Sequence, residues 1–261
     1  MVKVCIGVPH VGDLPGYFFD TVLALSVPPG SFVTRAQNKP VDVARNMIVQ
    51  AALADPDTTH LFFMDADMTF HPDTLLRLVE RDKDVIGGTY FARTDSPVPH
   101  VYRFHHEDAD DGTCPYGSLH DEGPGRWYAP LHSKFARYLK RHKRYDRFAG
   151  AAVLPDTKDA LVRADALGTG CLLIKREVLE AISAPWFKCH ENSAGGEDFY
   201  FCQKALDAGF EVWADFSVQA QHEYRYAWIE RRDFMRRFRV GEPDEYDFDA
   251  VIVDAAPKAV T

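Results

Sequence analysis

Hydrophobic and polar positions fall into alternating blocks over the first ninety or so residues. "VKVCIGVP" is a continuous apolar run closed by Pro9 and Gly12, the pattern of a strand covered on both faces. "SFVTRA" predicts a second strand. In "VDVARNMIVQAALAD" apolar residues recur at Ala44, Met47, Ile48 and Ala51, a helical period. "THLFFMD" is again continuous and apolar. "HPDTLLRLVER" predicts a helix with Pro72 in its first turn and Leu75, Leu76, Leu78 and Val79 as its apolar side. "KDVIGGTYF" predicts a further strand. Strand and helix signals in this alternation imply a parallel, doubly wound α/β sheet.

The rhythm breaks between about Asp95 and Ala164, where turn formers, histidines and then basic residues dominate. It resumes with "ALGTGCLLIKREVLEAI", strand then helix. "GGEDFYFCQKALDAGFEVWADFSVQAQH" reads as a helix opened by acidic residues and closed by Gly209, a strand through Val212 and Trp213, and a segment ending at His222. The expected organisation is one α/β domain in two halves, residues 1–94 and 165–224. A loop-rich insertion, 95–164, separates them, and a basic segment with an acidic tail, 225–261, follows.

Composition narrows the class. With 261 residues, 46% of them hydrophobic, the chain has enough apolar material for a substantial core. No apolar run is long enough to span a bilayer, and the N-terminus lacks a signal-peptide core, so a soluble, cytoplasmic protein is expected. Cys5, Cys114, Cys171, Cys189 and Cys202 are scattered and odd in number, with no CxxC pair. This argues for reduced thiols over a disulfide framework or a structural zinc site. A net charge of −9 disfavours nucleic-acid binding by the whole surface. The charge is uneven, however: "SKFARYLKRHKRYDRF" and "RYAWIERRDFMRRFR" are strongly basic.

The candidate chemistry begins at "LFFMDADMTF". Asp65 and Asp67 follow an apolar strand, at the sheet edge where open α/β folds bind ligands. If extended geometry continues, both carboxylates point the same way and suit Mg²⁺ or Mn²⁺ beside a phosphorylated substrate. One capping and one solvated aspartate is the plainer alternative. The same residues also fit the D-x-D-x-T strand of haloacid dehalogenase-like phosphatases, where Asp65 would attack a phosphate. Against that, a strand–helix unit precedes this strand, and Cys202 stands where a further acid is expected. Glu197 and Asp198 open a predicted helix after two glycines, as site residues or as N-terminal caps. His222 lies past a strand and can complete a metal site or serve structure. Arg45 and Asn46 fall near a helix start, where anions bind readily.

In chain order, "VCIGVPHVG", "ARNMIVQAAL", "LFFMDADMTFHPDTLLRLV", "GGTYFAR", "GTGCLLIKREVLEAI", "PWF", "GEDFYFCQKALDAGFEVWAD" and "QHEY" resemble a GT-A-fold glycosyltransferase, close to family-2-like soluble enzymes of bacteria and bacteriophages. The resemblance covers Val2 to Arg93 and Leu167 to about Tyr224, and omits the insertion and tail. It implies a Rossmann-like, mostly parallel sheet whose first half binds a nucleotide-sugar, a UDP-sugar by preference. Asp67 would ligate Mn²⁺ or Mg²⁺, Asp65 the ribose, the metal or both, and His222 would be a late metal ligand. Ala66 lies between the aspartates in the same donor site. Pro9, His10 and Val11 would border the base, Arg45 and Asn46 the diphosphate, and Gly168, Thr169 and Gly170 the sugar or acceptor. Asp198 would be the base of an inverting transfer, with Glu197 supporting it.

For the acceptor, Lys140, Arg141, Lys143 and Arg144 interleave with aromatic residues, a mixture able to track phosphates and stack bases. Trp186 joins them as an acceptor candidate. The resemblance to phage enzymes implies a hydroxymethylated pyrimidine in DNA as one acceptor, reached through segments 134–147 and 225–239 in a host cytoplasm. A saccharide, a lipid-linked glycan or a protein are the others. A nucleotide-sugar-binding module without catalysis is the non-enzyme alternative.

Overall fold

The computed structural model describes residues 1–93, 99–103, 151–152, 161–189, 196–224 and 227–229. The first half runs β1 (Val4–His10), α1 (Gly16–Ala24), β2 (Phe32–Gln37), α2 (Val41–Ala54), β3 (His60–Met64), β4 (Met68–Phe70), α3 (Thr74–Glu80) and β5 (Val85–Thr89). There follow β6 (Val101–Arg103), β7 (Ala151–Ala152), β8 (Leu161–Ala164), β9 (Ala166–Leu167) and β10 (Cys171–Lys175). The last elements are α4 (Arg176–Ala181), α5 (Glu197–Asp207), β11 (Val212–Tyr224) and β12 (Ala227–Ile229).

The main sheet has the order β2-β1-β3-β10-β5-β11-β12, with β4 and β8 also pairing to β11. Strands β2, β1 and β3 are parallel, as are β5 and β11. The expected mostly parallel α/β sheet is therefore present, in one body, because β10 from the second half lies between β3 and β5 from the first. It runs antiparallel to both. That direction matters: it brings the loop before β10 to the edge where β3 ends, so that the Asp65 N–H donates to the Gly170 carbonyl at 3.1 Å. A parallel β10 would have put the same loop at the opposite edge.

The continuous apolar strands are buried on both faces, as their pattern requires. Along β3, Leu61 and Phe63 join the core beneath α2, α4 and α5, while Phe62 and Met64 join the core beneath α1 and α3. All four are fully buried. Gly7 permits the close contact of β1 with α2, since a Cβ there would lie 2.3 Å from the Ile48 side chain.

Several sequence expectations shift. Helix α1 lies between the first two predicted strands, where the sequence reading assigns no element, and α3 starts at Thr74, so Pro72 precedes it and its carbonyl accepts the Ser26 N–H at 2.7 Å. Strand β8 lies within the stretch expected to be irregular. The segment leading to His222 is one strand of 13 residues with a register shift between Asp215 and Gln219. Fully buried Asp215 pins that irregularity: it accepts from Arg81 Nε at 2.7 Å and from the Ser217 N–H and hydroxyl at 2.9 and 2.5 Å. Beyond it β11 changes partner and pairs His222 with Met68, beside the acidic turn. Cys5, Cys171, Cys189 and Cys202 are free thiols, as expected, and no helix among the described residues is long and apolar enough to cross a membrane.

Candidate active site

The site forms where β1 and β3 end and β10 begins. Asp65, Ala66 and Asp67 turn the chain from β3 into β4. The turn is held on one side by Gly170 and on the other by the Glu223 N–H, which donates to the Asp67 carbonyl at 2.9 Å.

Asp65 does not stand free. Its Oδ1 accepts from Arg45 Nη2 at 3.1 Å, and Arg45 Nε donates to Glu197 Oε1 at 3.0 Å. The guanidinium is only 3% exposed and lies over the Phe63 ring, 5.1 Å from its centroid. One buried cation thus joins α2, the turn after β3 and the start of α5. Burial opposes its charge, but Asp65 and Glu197 together hold its proton more firmly than usual. Arg45 Nη1 is buried with no hydrogen-bond partner among the described residues. Burial raises the Asp65 carboxyl above its ordinary range; Arg45 works against this and the Asp67 charge adds to it.

Asp67 has two partners of its own. Oδ2 meets Arg93 Nη1 at 2.7 Å, and Oδ1 faces His222 Nε2 at 3.5 Å. Burial would raise the carboxyl, but the hydrogen bond and charge of His222 and the charge of Arg93 outweigh it and leave Asp67 below its ordinary range. His222 Nδ1 lies 2.9 Å from the Phe91 carbonyl, so that nitrogen carries the hydrogen and Nε2 is left to face Asp67. An imidazole lone pair opposite a carboxylate is stable only with positive charge on or between them, either a proton or a metal ion.

One carboxylate oxygen and one imidazole nitrogen form a mixed donor pair that suits Mn²⁺ better than Mg²⁺, which prefers all-oxygen ligands. The spacing is near the ~3 Å expected of adjacent ligands on an ion with bonds of ~2.1 Å. A backbone carbonyl behind a ligating histidine is the usual support for such a ligand. Asp65, however, is turned toward Arg45, and among the described residues no group of three or more His, Cys, Asp or Glu is gathered to hold a metal.

Glu197 and Asp198 begin α5, as expected. Glu197 is bound to Arg45. Asp198 Oδ1 accepts only its neighbour's N–H, from Phe199 at 2.8 Å, among the bonds described. Burial, and then the Glu197 charge, push its carboxyl up to about 7. The two acids are therefore different: one is paired with arginine, and the other is poised near neutrality.

Aromatic residues that the sequence reading did not single out connect these parts. The Tyr90 hydroxyl accepts the Gly170 N–H at 3.0 Å, and a Cβ at Gly168 would lie 2.1 Å from the same oxygen. Tyr90 meets His222 edge-on at 5.6 Å and stacks on His100 at 4.8 Å. Tyr102 follows, against His100 and then Phe199 beside Asp198. Burial, then the charges of His222 and Arg93, lower His100 to about 4, so it is neutral at pH 7. The Tyr17 hydroxyl donates to Glu223 Oε2 at 2.5 Å, tying α1 to the strand that carries His222. Of these, Arg93 and Tyr90 had a signal, since "TYFAR" follows a predicted strand at the same sheet edge. His100 and Tyr102 had none.

The remaining expected residues divide. Pro9 and His10 end β1 at the site edge, and Val11 is 80% exposed in the loop beyond. His10 is buried; its Nδ1–H donates to the Gly12 carbonyl at 3.0 Å, and Nε2 has no partner among the described residues. Gly168 lies against Tyr90 and His100, Gly170 against Met68, Asp65 and Tyr90, and Thr169 between them is buried. Asn46 is corrected: its amide donates to Asp42 O and Phe187 O, both at 2.7 Å, and accepts from the Trp186 and Phe187 N–H groups. With every amide position used, it pins the Trp186–Phe187 backbone and has none left for a diphosphate. Trp186 is also corrected. It is 9% exposed, in the core, with its indole N–H donating to the Leu179 carbonyl at 2.8 Å, so it presents no ring to an acceptor. Lys140, Arg141, Lys143 and Arg144 lie outside the described residues.

Comparison with known proteins bears on family and fold. The family model described as "Glycosyl transferase family 2" matches residues 23–154, about half of the chain; it spans Asp65, Asp67 and Arg93 and stops before Glu197. Among solved structures, "Crystal Structure of A197 from STIV" is similar with a TM-score of 0.52 and 18% identity, covering 85% of this chain and 86% of that one, a likeness of fold. "Crystal structure of GalNAc-T7 with UDP, GalNAc and Mn2+" is matched with a TM-score of 0.43 and 14% identity, over 92% of this chain and 48% of that one. No curated protein matches the chain. The phosphatase reading of "DADMT" is set aside by the family match. The chain belongs to glycosyl transferase family 2 and is a glycosyltransferase with a GT-A-like fold.

Proposed function

We propose that this enzyme moves a sugar from a nucleoside-diphosphate donor, a UDP-sugar by preference, to an acceptor hydroxyl with inversion at the anomeric carbon. The observation that carries the reading is the contrast at the start of α5. Glu197 is neutralised by Arg45, which also holds Asp65, while Asp198 beside it has a carboxyl near 7. A base with that pKa is half ionised at neutral pH and suits removal of a hydroxyl proton during attack.

In this reading the donor lies along the edge from the Pro9–Val11 loop to Asp65 and Asp67. Asp67 and His222 hold the divalent ion, and Asp65 reaches the ribose or the ion. A bound Mn²⁺ or Mg²⁺ supplies positive charge for the departing diphosphate. Arg45 keeps the acidic turn and α5 in register, Glu197 orients the helix start, and Asp198 takes the acceptor proton in a single displacement. The Gly168–Gly170 loop, held by Tyr90, borders the sugar.

The test is a thermal-shift panel of UDP-, GDP-, CMP- and dTDP-sugars with and without Mn²⁺, followed by donor hydrolysis. A metal-dependent shift is expected with one donor class. Hydrolysis should fall at least a hundredfold in Asp67→Ala with melting preserved, the scale of losing one electrostatic stabiliser. Donor binding indifferent to metal would remove Asp67 and His222 from the ligand set.

For the acceptor, the reading rests on sequence alone and favours a hydroxymethylated pyrimidine in DNA over a saccharide, a lipid-linked glycan or a protein. DNA binding that weakens steeply with salt and is lost when Lys140, Arg141, Lys143 and Arg144 are neutralised is the expected result.

A further inference from the structure

Each carboxylate of the acidic turn has its own arginine, and the two arginines differ in kind. Arg45 is sealed, 3% exposed, and divided between Asp65 and Glu197. The Arg93 side chain is 51% exposed, follows the bridge residue Phe91 at the mouth of the site, and among the described residues has the single ion-pair partner Asp67, at 2.7 Å. Arg93 thus occupies one oxygen of the carboxylate to which the proposed function assigns a divalent ion. Cation and guanidinium compete for Asp67, and the half-exposed Arg93 side chain can swing away when the cation binds.

The chemistry gives the displaced arginine a second use. As the bond between the anomeric carbon and the diphosphate oxygen breaks, its electron pair goes to that oxygen, and the leaving group gains one negative charge. The acceptor oxygen bonds to the carbon, and its proton passes to Asp198. A divalent ion held by Asp67 and His222 would supply the same positive charge before and after the step, so the additional negative charge calls for a further cation from the chain. Arg45 cannot move to supply it without stranding two partly buried carboxylates. Arg93 can, and a planar guanidinium is suited to bidentate contact with phosphate.

We propose that Arg93 is a catalytic residue that guards Asp67 until the divalent ion binds and then turns to the leaving diphosphate. This rests on the donor reading given above. It separates Arg93 from a residue that only steadies the turn, because it requires opposite effects on metal and on product.

The test compares wild type, Arg93→Gln and Arg93→Lys by titration calorimetry, with melting curves as the folding control. With Mn²⁺ alone, Arg93→Gln should bind several-fold more tightly than wild type, since a competitor is gone, with Arg93→Lys between them. With Mn²⁺ saturating, the tightest-binding of UDP, GDP, CDP and dTDP should lose roughly tenfold affinity in Arg93→Gln, the worth of a charged hydrogen bond to phosphate. The matching nucleotide-glucose should lose much less, and Arg93→Lys should recover part of the loss. Weaker Mn²⁺ binding in Arg93→Gln, or equal losses for diphosphate and sugar conjugate, overturns the role. If wild type binds neither Mn²⁺ nor any of the four diphosphates, the donor reading itself fails and takes this role with it. If wild type binds them and the variants match it, only the Arg93 assignment fails.

Discussion

Glu197 and Asp198 are neighbours with different electrostatic fates. Arg45 takes the first, while burial and that same neighbour lift the second to about 7. The sign of the consequence follows. The base form of Asp198 is needed, so kcat/KM should rise about tenfold per pH unit below 7 and level above it. Stability should run the other way. The folded chain holds the Asp198 proton between roughly pH 4 and 7 while the unfolded chain releases it, so stability falls as pH rises through that window. Asp198→Asn should therefore abolish turnover and the pH-rate step. It should also raise the melting temperature at pH 8 by a few degrees relative to wild type, and by much less at pH 4. A melting difference independent of pH would remove Asp198 from the titrating role. The acidic pair was legible in sequence as a helix opening; its asymmetry was not, because Arg45 lies 152 residues away.

At the scale of elements, the loop before β10 is shaped by one phenol. Gly168 has no room for a Cβ beside the Tyr90 oxygen, and Gly170 donates to that oxygen. Gly168→Ala should cost about 1–3 kcal/mol by overpacking. Adding Tyr90→Phe should return part of that, since the clashing oxygen is removed, although the Gly170 N–H then loses its acceptor. Denaturant melts of the two single variants and the double give the coupling, and strict additivity would contradict the contact. The family resemblance puts Gly168 and Gly170 near the sugar or acceptor, and the sequence carries no sign of Tyr90 as the partner that shapes their loop. Asn46 shows the converse. "ARN" at a helix start suggests an anion site, yet the asparagine is committed to the Phe187 backbone, 141 residues on. Trp186 was read as an acceptor contact for want of any sequence sign that Leu179 would satisfy its indole and the core would cover it.

At the scale of the molecule, Arg45 adds a charged tie between the two halves of the chain to the insertion of β10 between β3 and β5. Arg45→Met keeps the stem and removes the charge, leaving Asp65 and Glu197 buried or half-buried without a cation. A loss of about 3–5 kcal/mol in unfolding free energy is expected, with donor affinity falling as the acidic turn loosens. If Arg45→Met melts like wild type, the bridge adds nothing to the joining of the halves. The continuous apolar runs of β1, β3 and β5, the period of α2 and the position of Asp65 and Asp67 at a strand end were all determined by the sequence. Strand and helix periodicity is a near-neighbour property, and an apolar run of that length has few other solutions. The tertiary structure alone decided the antiparallel course of β10, the shifted register that brings His222 to Met68, and the division of Arg45 and Arg93 between the two aspartates. Each of these is a pairing across distant chain, chosen by which groups packing brings within reach and by the cost of leaving a charge buried alone.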